Sequence, residues 1–324
     1  MRQQMVFCDR ETLEQRYVAE FLRTKRVPQN LFYIVDGATS FYSYRDRDLA
    51  KINWRDEYRF FERQPFWSEE QSIVLISLGC GNAGPEKPLL RAMNSDGYQV
   101  DYVGVDSSQA MLELAAENLA GQRFDQTFVL GDFGQQSFRD DLSELVAGYD
   151  VRVFAMMGGT LGNFDQVWIA DVLQDLLCPG DHLYLDVVPM YGSDEENVRL
   201  RSRFADLPQN LGRFFDDLLR QLGLSRSDGK MVSDEGCDDD LNSMCITFYF
   251  EATDPLVFSC AGEDAKLERG ERIELLSIRA YDVPSLKAFF EQRGFKFVDT
   301  FIPDVGDLSH LWQRLLFQKK RGAQ

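Results

Sequence analysis

Apolar residues at Leu13, Tyr17, Val18, Phe21 and Leu22 recur at helical spacing and predict a helix over 11–23. Val27-Pro28-Gln29-Asn30 breaks the pattern. An aromatic-dense piece follows, from Phe32 and Tyr33 through Phe41, Tyr42, Tyr44, Trp54, Tyr58, Phe60, Phe61, Phe66 and Trp67. Rings of this size dominate core burial, so 1–72 is expected to form a helical N-terminal layer packed on the core. A second reading has some of the rings walling a substrate site.

At residue 73 the period changes. Ile73–Leu78 is a short apolar, β-branched run that stops at Gly79, Gly81 and Gly84, as a buried strand ending in a side-chain-free turn does. Helix and strand patterns then alternate. Helices are expected over 85–93, 107–118 and 165–177, and strands over 99–106, 127–131, 150–157 and 182–188. Ser107 or Ser108 is the expected cap of the second helix. Such alternation implies right-handed crossovers and a parallel sheet covered by helices on both faces, an α/β Rossmann-like core over 73–188.

The alternation stops at 189. Helical stretches at 197–207 and 211–222 precede an acidic run, 225–240, read as a solvated loop. Two alternating runs, 243–251 and 272–281, suggest an antiparallel pair. The segment 189–282 therefore reads as an α+β cap inserted into the parallel domain. The core resumes over 283–324 with a helix ended by Gly294, a strand at Phe295–Phe301 and a last strand-like run at 310–318.

Charge narrows the partners. The 324 residues carry 53 acidic against 35 basic side chains, a net charge of −18. That surface repels a phosphate backbone, so nucleic acid is not expected as a partner. Six cysteines without Cys-x-x-Cys spacing and two histidines argue against a zinc site and for free thiols in a reducing compartment. No leader-like apolar stretch opens the chain and no run approaches the ~20 residues needed to span a bilayer, so a cytoplasmic protein is expected. Its oligomeric state is not legible.

The strand ends carry the candidate chemistry. Gly79-Cys80-Gly81-Asn82-Ala83-Gly84 follows the first strand, Asp106 ends the second, and Asp132-Phe133 follows the third. A carboxylate after the second strand suits a ribose diol. The glycine spacing alone also fits a dinucleotide. Asp132-Phe133 suits adenine instead, and the helix–strand–strand ending at 284–318 is unlike a second dinucleotide-binding half.

In this order of features the chain resembles the class I S-adenosylmethionine-dependent methyltransferases. By that resemblance Gly79, Gly81 and Gly84 frame the methionine part of the cofactor, Asp106 the ribose, and Asp132 with Phe133 the adenine; Cys80, Ser107, Gly158 and Tyr33 are also assigned to the cofactor site. Gly158-Gly159-Thr160-Leu161-Gly162-Asn163-Phe164 is similar to the Gly-Ser-Thr-Ile-Gly-Asn-Phe segment of the histidine-specific N-alpha-methyltransferases of the ergothioneine pathway type. Tyr33, Gly37 and Phe41 fall at the intervals of that family's Tyr-Asp-x-x-Gly-Ser-x-x-Phe region, and Gly131-Asp132-Phe133 matches too. The resemblance implies that Asn163 holds the carboxylate of an amino-acid substrate and that Tyr33 borders it. No side chain presents itself as the catalytic base, and water can serve.

One departure bears on the substrate. The family reads histidine through Glu-x-Ser in a cap strand, whereas here Glu274 stands three before Ser277. A spacing of three puts the two on opposite faces of a strand unless a bulge intervenes. On that ground free histidine is not expected, and the reading is an N-methyltransferase of a small amine, such as an amino acid or a derivative. Two alternatives stay open: O-methylation of a small metabolite, and a cofactor-binding module without chemistry.

Overall fold

The computed structural model describes residues 3–7, 10–28, 54–190, 197–198, 201–202, 212–238, 241–303 and 312–321. Tyr33, Gly37, Phe41 and His310 lie outside them. In chain order the elements are β1 (Gln3–Phe7), α1 (Arg10–Thr24), α2 (Trp54–Glu62), β2 (Ile73–Leu78), α3 (Glu86–Ser95), β3 (Val100–Asp106), α4 (Gln109–Asn118), β4 (Gln126–Leu130), α5 (Gln136–Leu145) and β5 (Val151–Met156). A 3-10 turn (Thr160–Asn163), α6 (Gln166–Leu176), β6 (His182–Val187), α7 (Gly212–Gln221), β7 (Gly229–Asp238) and β8 (Ser243–Ala252) follow. The chain continues through β9 (Leu256–Cys260), β10 (Glu263–Leu267), β11 (Arg272–Ala280), α8 (Val283–Gln292), β12 (Phe295–Phe301) and β13 (Gln313–Lys319).

The contacts divide the chain into two compact units. The first holds Met1–Cys8, Leu49–Pro189 and Val283–Gln324; the second holds Asp9–Asp48 and Met190–Asp282. The segment 1–72 is thus shared between them.

In the first unit an eight-stranded sheet runs β1-β4-β3-β2-β5-β6-β13-β12. β1 to β6 are parallel, while β13 runs antiparallel to both β6 and β12. The chain leaves β2 in one direction through β3 and β4 and in the other through β5 and β6. With right-handed crossovers, that reversal places helices on both faces and opens a crevice beside the carboxyl end of β2. β2 is buried at every position, which explains its unbroken apolar run. Of the two serines expected as a cap, Ser108 is the one: its hydroxyl accepts from Met111 N–H at α4; Asp165, read as the first residue of its helix, instead caps α6 by accepting from Trp168 N–H.

The described N-terminal rings are core. Tyr58, Phe60, Phe61 and Trp67 are buried. Phe61 lies 4.8 Å from Tyr184 of β6, and Phe60 stacks on Phe301 of β12 at 5.8 Å between centroids. They join α2 to the sheet rather than to a ligand surface.

In the second unit β11, β8 and β7 form an antiparallel sheet, and β9 and β10 a separate hairpin. The run expected as an acidic loop is largely strand: Gly229–Asp238 is β7. It is an edge strand, and its Asp234, Glu235 and Asp238 cost little there because an edge faces water and charge protects it from pairing. One face of the sheet is apolar. Met244, Ile246, Phe248 and Phe250 of β8 are buried, with Phe248 5.9 Å from Phe215 of α7. The other face carries Thr247, Tyr249 and Glu251.

Candidate active site

The site is assembled at the carboxyl ends of β2 to β6. After β2 the chain turns through Gly79 and Gly81, both at positive φ, 71° and 54°. Gly79 N–H and Cys80 N–H both donate to Val105 O, at 2.8 and 3.0 Å, which bends the loop over the end of β3. A Cβ at Gly79 would lie 2.8 Å from Thr160 Cγ2, so the loop is held tight against the turn after β5. Gly84 has another reason. The third positive φ belongs to Ala83, and a Cβ at Gly84 would sit 2.9 Å from the Asn82 side-chain oxygen that caps its own N–H. Cys80 is buried with Sγ turned inward, so what it offers the loop's open side is backbone. Burial, then Asp106 and Glu86, push its thiol well above the usual range.

Asp106 ends β3 and is buried. Its Oδ2 accepts from Gly81 N–H and its Oδ1 from Ser108 N–H, each at 2.9 Å. Burial raises its pKa to about 6, against the N–H groups of Ser108, Gly81 and Ser107, which pull it down. The carboxylate thus ties the glycine loop to the start of α4. Asp132, after β4, makes a tight local turn: Oδ1 accepts from Gly134 N–H at 2.8 Å and Oδ2 from Gln135 Nε2 at 3.3 Å. Phe133 is buried edge-on to Phe164 at 5.4 Å, and Phe164 lies 5.6 Å from the exposed Trp168. A side-chain-free loop, a buried carboxylate and an acid beside aromatic rings, in this order along strand ends, form a donor set that fits an adenosyl group with an amino-acid tail.

The turn after β5 is the other wall. Gly158 and Gly159 are consecutive left-handed residues, φ 70° and 79°. The Gly158 N–H donates to Asp186 Oδ2 at 2.7 Å. Thr160 Oγ1 bonds Met157 O at 2.7 Å and starts the 3-10 turn that ends on Asn163. Asn163 is half-buried, and its carboxamide has no hydrogen-bond partner among the described residues. It offers a donor and an acceptor at the end of that turn.

Within the second unit, taken by itself, β11 carries Glu274 and Ser277, and here the sequence reading is corrected. The ladder of β11 on β8 pairs Glu274 with Tyr249 but Leu276 with Phe248, so Leu275 is absorbed in a β-bulge. With one residue absorbed, Glu274 and Ser277 stand two apart along the ladder and share a face with Tyr249 and Thr247. Ser277 Oγ donates to Glu274 Oε1 at 3.2 Å and lies 3.0 Å from Thr247 Oγ1. Glu274 Oε1 also meets Arg26 Nε at 2.9 Å; that ion pair is half exposed and hence weak. The objection drawn from a spacing of three falls, because register, not count, decides the face.

Sequence reasoning missed Asp186, Thr247 and Tyr249. Asp186 had a signal, being an acid inside an apolar strand. Thr247 and Tyr249 had none, as alternation makes them ordinary outward residues. Among the described residues no helix is long and apolar enough to cross a membrane.

Comparison with known proteins bears on these features. Residues 14–187, more than half of the chain, match a family described as histidine-specific methyltransferase, SAM-dependent. No curated protein matches. Solved structures of similar course include an S-adenosylmethionine-dependent methyltransferase from Clostridium acetobutylicum ATCC 824, at 13% identity and a TM-score of 0.44, covering 87% of this chain and 97% of that one. A SAM-dependent methyltransferase from Methanosarcina mazei has 16% identity and a TM-score of 0.41, covering 79% and 95%. The glycopeptide N-methyltransferase MtfA, complexed with S-adenosylhomocysteine, has 11% identity and a TM-score of 0.41, covering 81% and 88%.

Proposed function

The chain belongs to the histidine-specific, S-adenosylmethionine-dependent methyltransferase family, and from that premise we propose that it methylates the α-amine of a free amino acid bearing an imidazole-like ring. It is a methyltransferase and uses S-adenosylmethionine. The observation that carries the narrower reading is the bulge at Leu275. It gives Glu274 and Ser277 one face and a shared hydrogen bond, the pairing a ring N–H donor and a ring nitrogen acceptor would engage. Histidine, set aside on spacing alone, returns as the first candidate.

The roles follow from the donor types. Gly79, Cys80, Gly81 and Gly84 offer backbone to the cofactor's amino-acid tail, and Asp106 with Ser107 addresses the ribose. Asp132 and Phe133 take the adenine, and Gly158 and Tyr33 complete the cofactor side. By the family resemblance Asn163 is assigned the substrate carboxylate, which its amide N–H suits, and Glu274 and Ser277 are assigned the ring. The cofactor supplies an electrophilic methyl on a sulfonium; the protein supplies alignment of the neutral amine with it. Among the described residues the carboxylates at the Asn163 turn are engaged, Asp165 by the Trp168 N–H and Asp186 by the Gly158 N–H and Arg314, which fits proton loss to water before transfer.

The test is a methylation assay with purified protein, S-adenosylmethionine and a panel of free amino acids, followed by mass spectrometry. Histidine should gain methyl groups at its α-nitrogen, and Asn163→Ala should raise its KM by about tenfold or more, the loss of a charge-assisted hydrogen bond. Transfer to an alcohol in place of any amine, or unchanged kinetics in Asn163→Ala, would sink the reading.

A further inference from the structure

Asp186 is an acid near the end of an otherwise apolar strand, and it is 2% exposed. Its Oδ2 accepts the Gly158 N–H at 2.7 Å, and its Oδ1 accepts from Nη1 of Arg314 on β13. Arg314 is 1% exposed, and its Nε reaches Glu57 Oε1 on α2 at 3.1 Å. The Tyr184 hydroxyl donates to the same Glu57 oxygen. Burial works to lower the Arg314 pKa, but Asp186, Glu57 and Tyr184 raise it above its ordinary range, so the guanidinium stays charged.

A buried array of ions is a poor device for stability. Desolvation offsets the Coulombic gain, and apolar residues of the same volume serve as well or better. What this array does that Leu or Phe cannot is end on one backbone amide. That amide opens the turn at Gly158 and Gly159, whose left-handed conformations are available to glycine at no steric cost. A glycine pair has no side chains to fix its own direction, so its anchor must come from outside.

We propose that Asp186 is a positioning residue for the reaction. Through the Gly158 amide it sets the course of the 158–163 turn, and thereby the place at which Asn163 is presented; Arg314 and Glu57 hold the Asp186 carboxylate for that task. The inference rests on Asn163 facing the substrate. In Asp186→Asn the amide offers one oxygen and one NH2 group. If the oxygen keeps Gly158, the NH2 opposes the Arg314 guanidinium, so both contacts cannot survive.

The experiment compares Asp186→Asn and Arg314→Lys with Leu119→Ala. Leu119 is fully buried, and its carbonyl accepts from Gln126 at the start of β4, three strands along from β5 and at the amino end of the parallel strands, away from the turn. All are measured by hydrogen exchange of the peptide 156–164, by calorimetric binding of S-adenosylhomocysteine, and by steady-state kinetics on the accepted amine. Asp186→Asn should speed exchange in the turn and raise the amine KM, each by about tenfold or more, with a smaller rise in the S-adenosylhomocysteine Kd, because Gly158 also stands on the cofactor side. Arg314→Lys should act in the same direction, less strongly. Leu119→Ala should lower Tm with turn exchange and KM as in the wild type. Turn exchange in Asp186→Asn and Arg314→Lys no faster than in Leu119→Ala overturns the proposal, as does fast exchange with an unchanged KM. If the wild type methylates no amine, the substrate reading fails by that result, and the exchange comparison still decides on Asp186.

Discussion

Ser277 Oγ donates to Glu274 Oε1 over 3.2 Å although an odd number of positions separates them on one strand. The β-bulge at Leu275 makes this possible. Deleting Leu275 should therefore keep the two side chains together, since the ladder already treats them as two apart. The deletion variant should bind histidine within about threefold of the wild type, while Glu274→Gln and Ser277→Ala each weaken it about tenfold, a lost hydrogen bond to a charged group. Leu275 is buried, so the same deletion should cost about 2–4 kcal/mol of stability. Calorimetric titration and denaturant melts separate the two effects.

Asp106 makes cofactor binding pH-dependent. Its pKa in the ligand-free protein lies at about 6. The ionised carboxylate is the better acceptor for ribose hydroxyls, so ligand contact favours the charged form. As pH falls below about 6 the group protonates, and the S-adenosylhomocysteine Kd should rise by up to about tenfold per unit. In Asp106→Asn binding should be weak at all pH values, with that slope gone. A wild-type Kd flat from pH 5 to 8 would contradict the assignment.

His182 should contribute to acid lability. It is buried against Phe66, stacked at 3.6 Å, and burial lowers its pKa from 6.5 to about 4. A depressed histidine pKa means stability that is present above pH 6.5 and lost as pH falls through about 4. The shift is worth about 3 kcal/mol once the ring is charged. His182→Phe keeps the stack and removes the titration. Its melting temperature should fall less than the wild type's between pH 6.5 and 4.

Gly79→Ala tests the loop. Alanine at φ 71° is strained by about 1–2 kcal/mol, and its methyl would press on Thr160. The variant should melt lower and bind S-adenosylhomocysteine more weakly, whereas Gly121→Ala, also at positive φ but with nothing within 4 Å of an added Cβ, should melt lower with cofactor affinity intact. Equal affinity loss in both would refute a local role for Gly79.

Much of the first unit was legible because its signals are local. The buried run of β2, the glycines after it and the cap at Ser108 each depend on neighbours within a few residues. The strand alternation implied the sheet, and right-handed crossovers arranged it. β1 was not legible: Gln3–Phe7 is too short to show a period, and its partner β4 lies far along the chain. β7 was misread because its charges, on an edge strand, look like those of a loop.

The sequence by itself determined the parallel core, the cofactor class and the residues at the strand ends, since these follow from period, turn chemistry and the order of motifs. Tertiary structure alone decided which residues share a face and which buried charges meet. Glu274 and Ser277 came together through a register shift, a property of two paired strands that neither strand carries alone. Glu57, Asp186 and Arg314 are far apart in the chain and are linked through Arg314, with Asp186 reaching on to Gly158. An isolated acid in an apolar strand shows that a partner must exist, since a lone buried charge is too costly; only the fold says which partner it is.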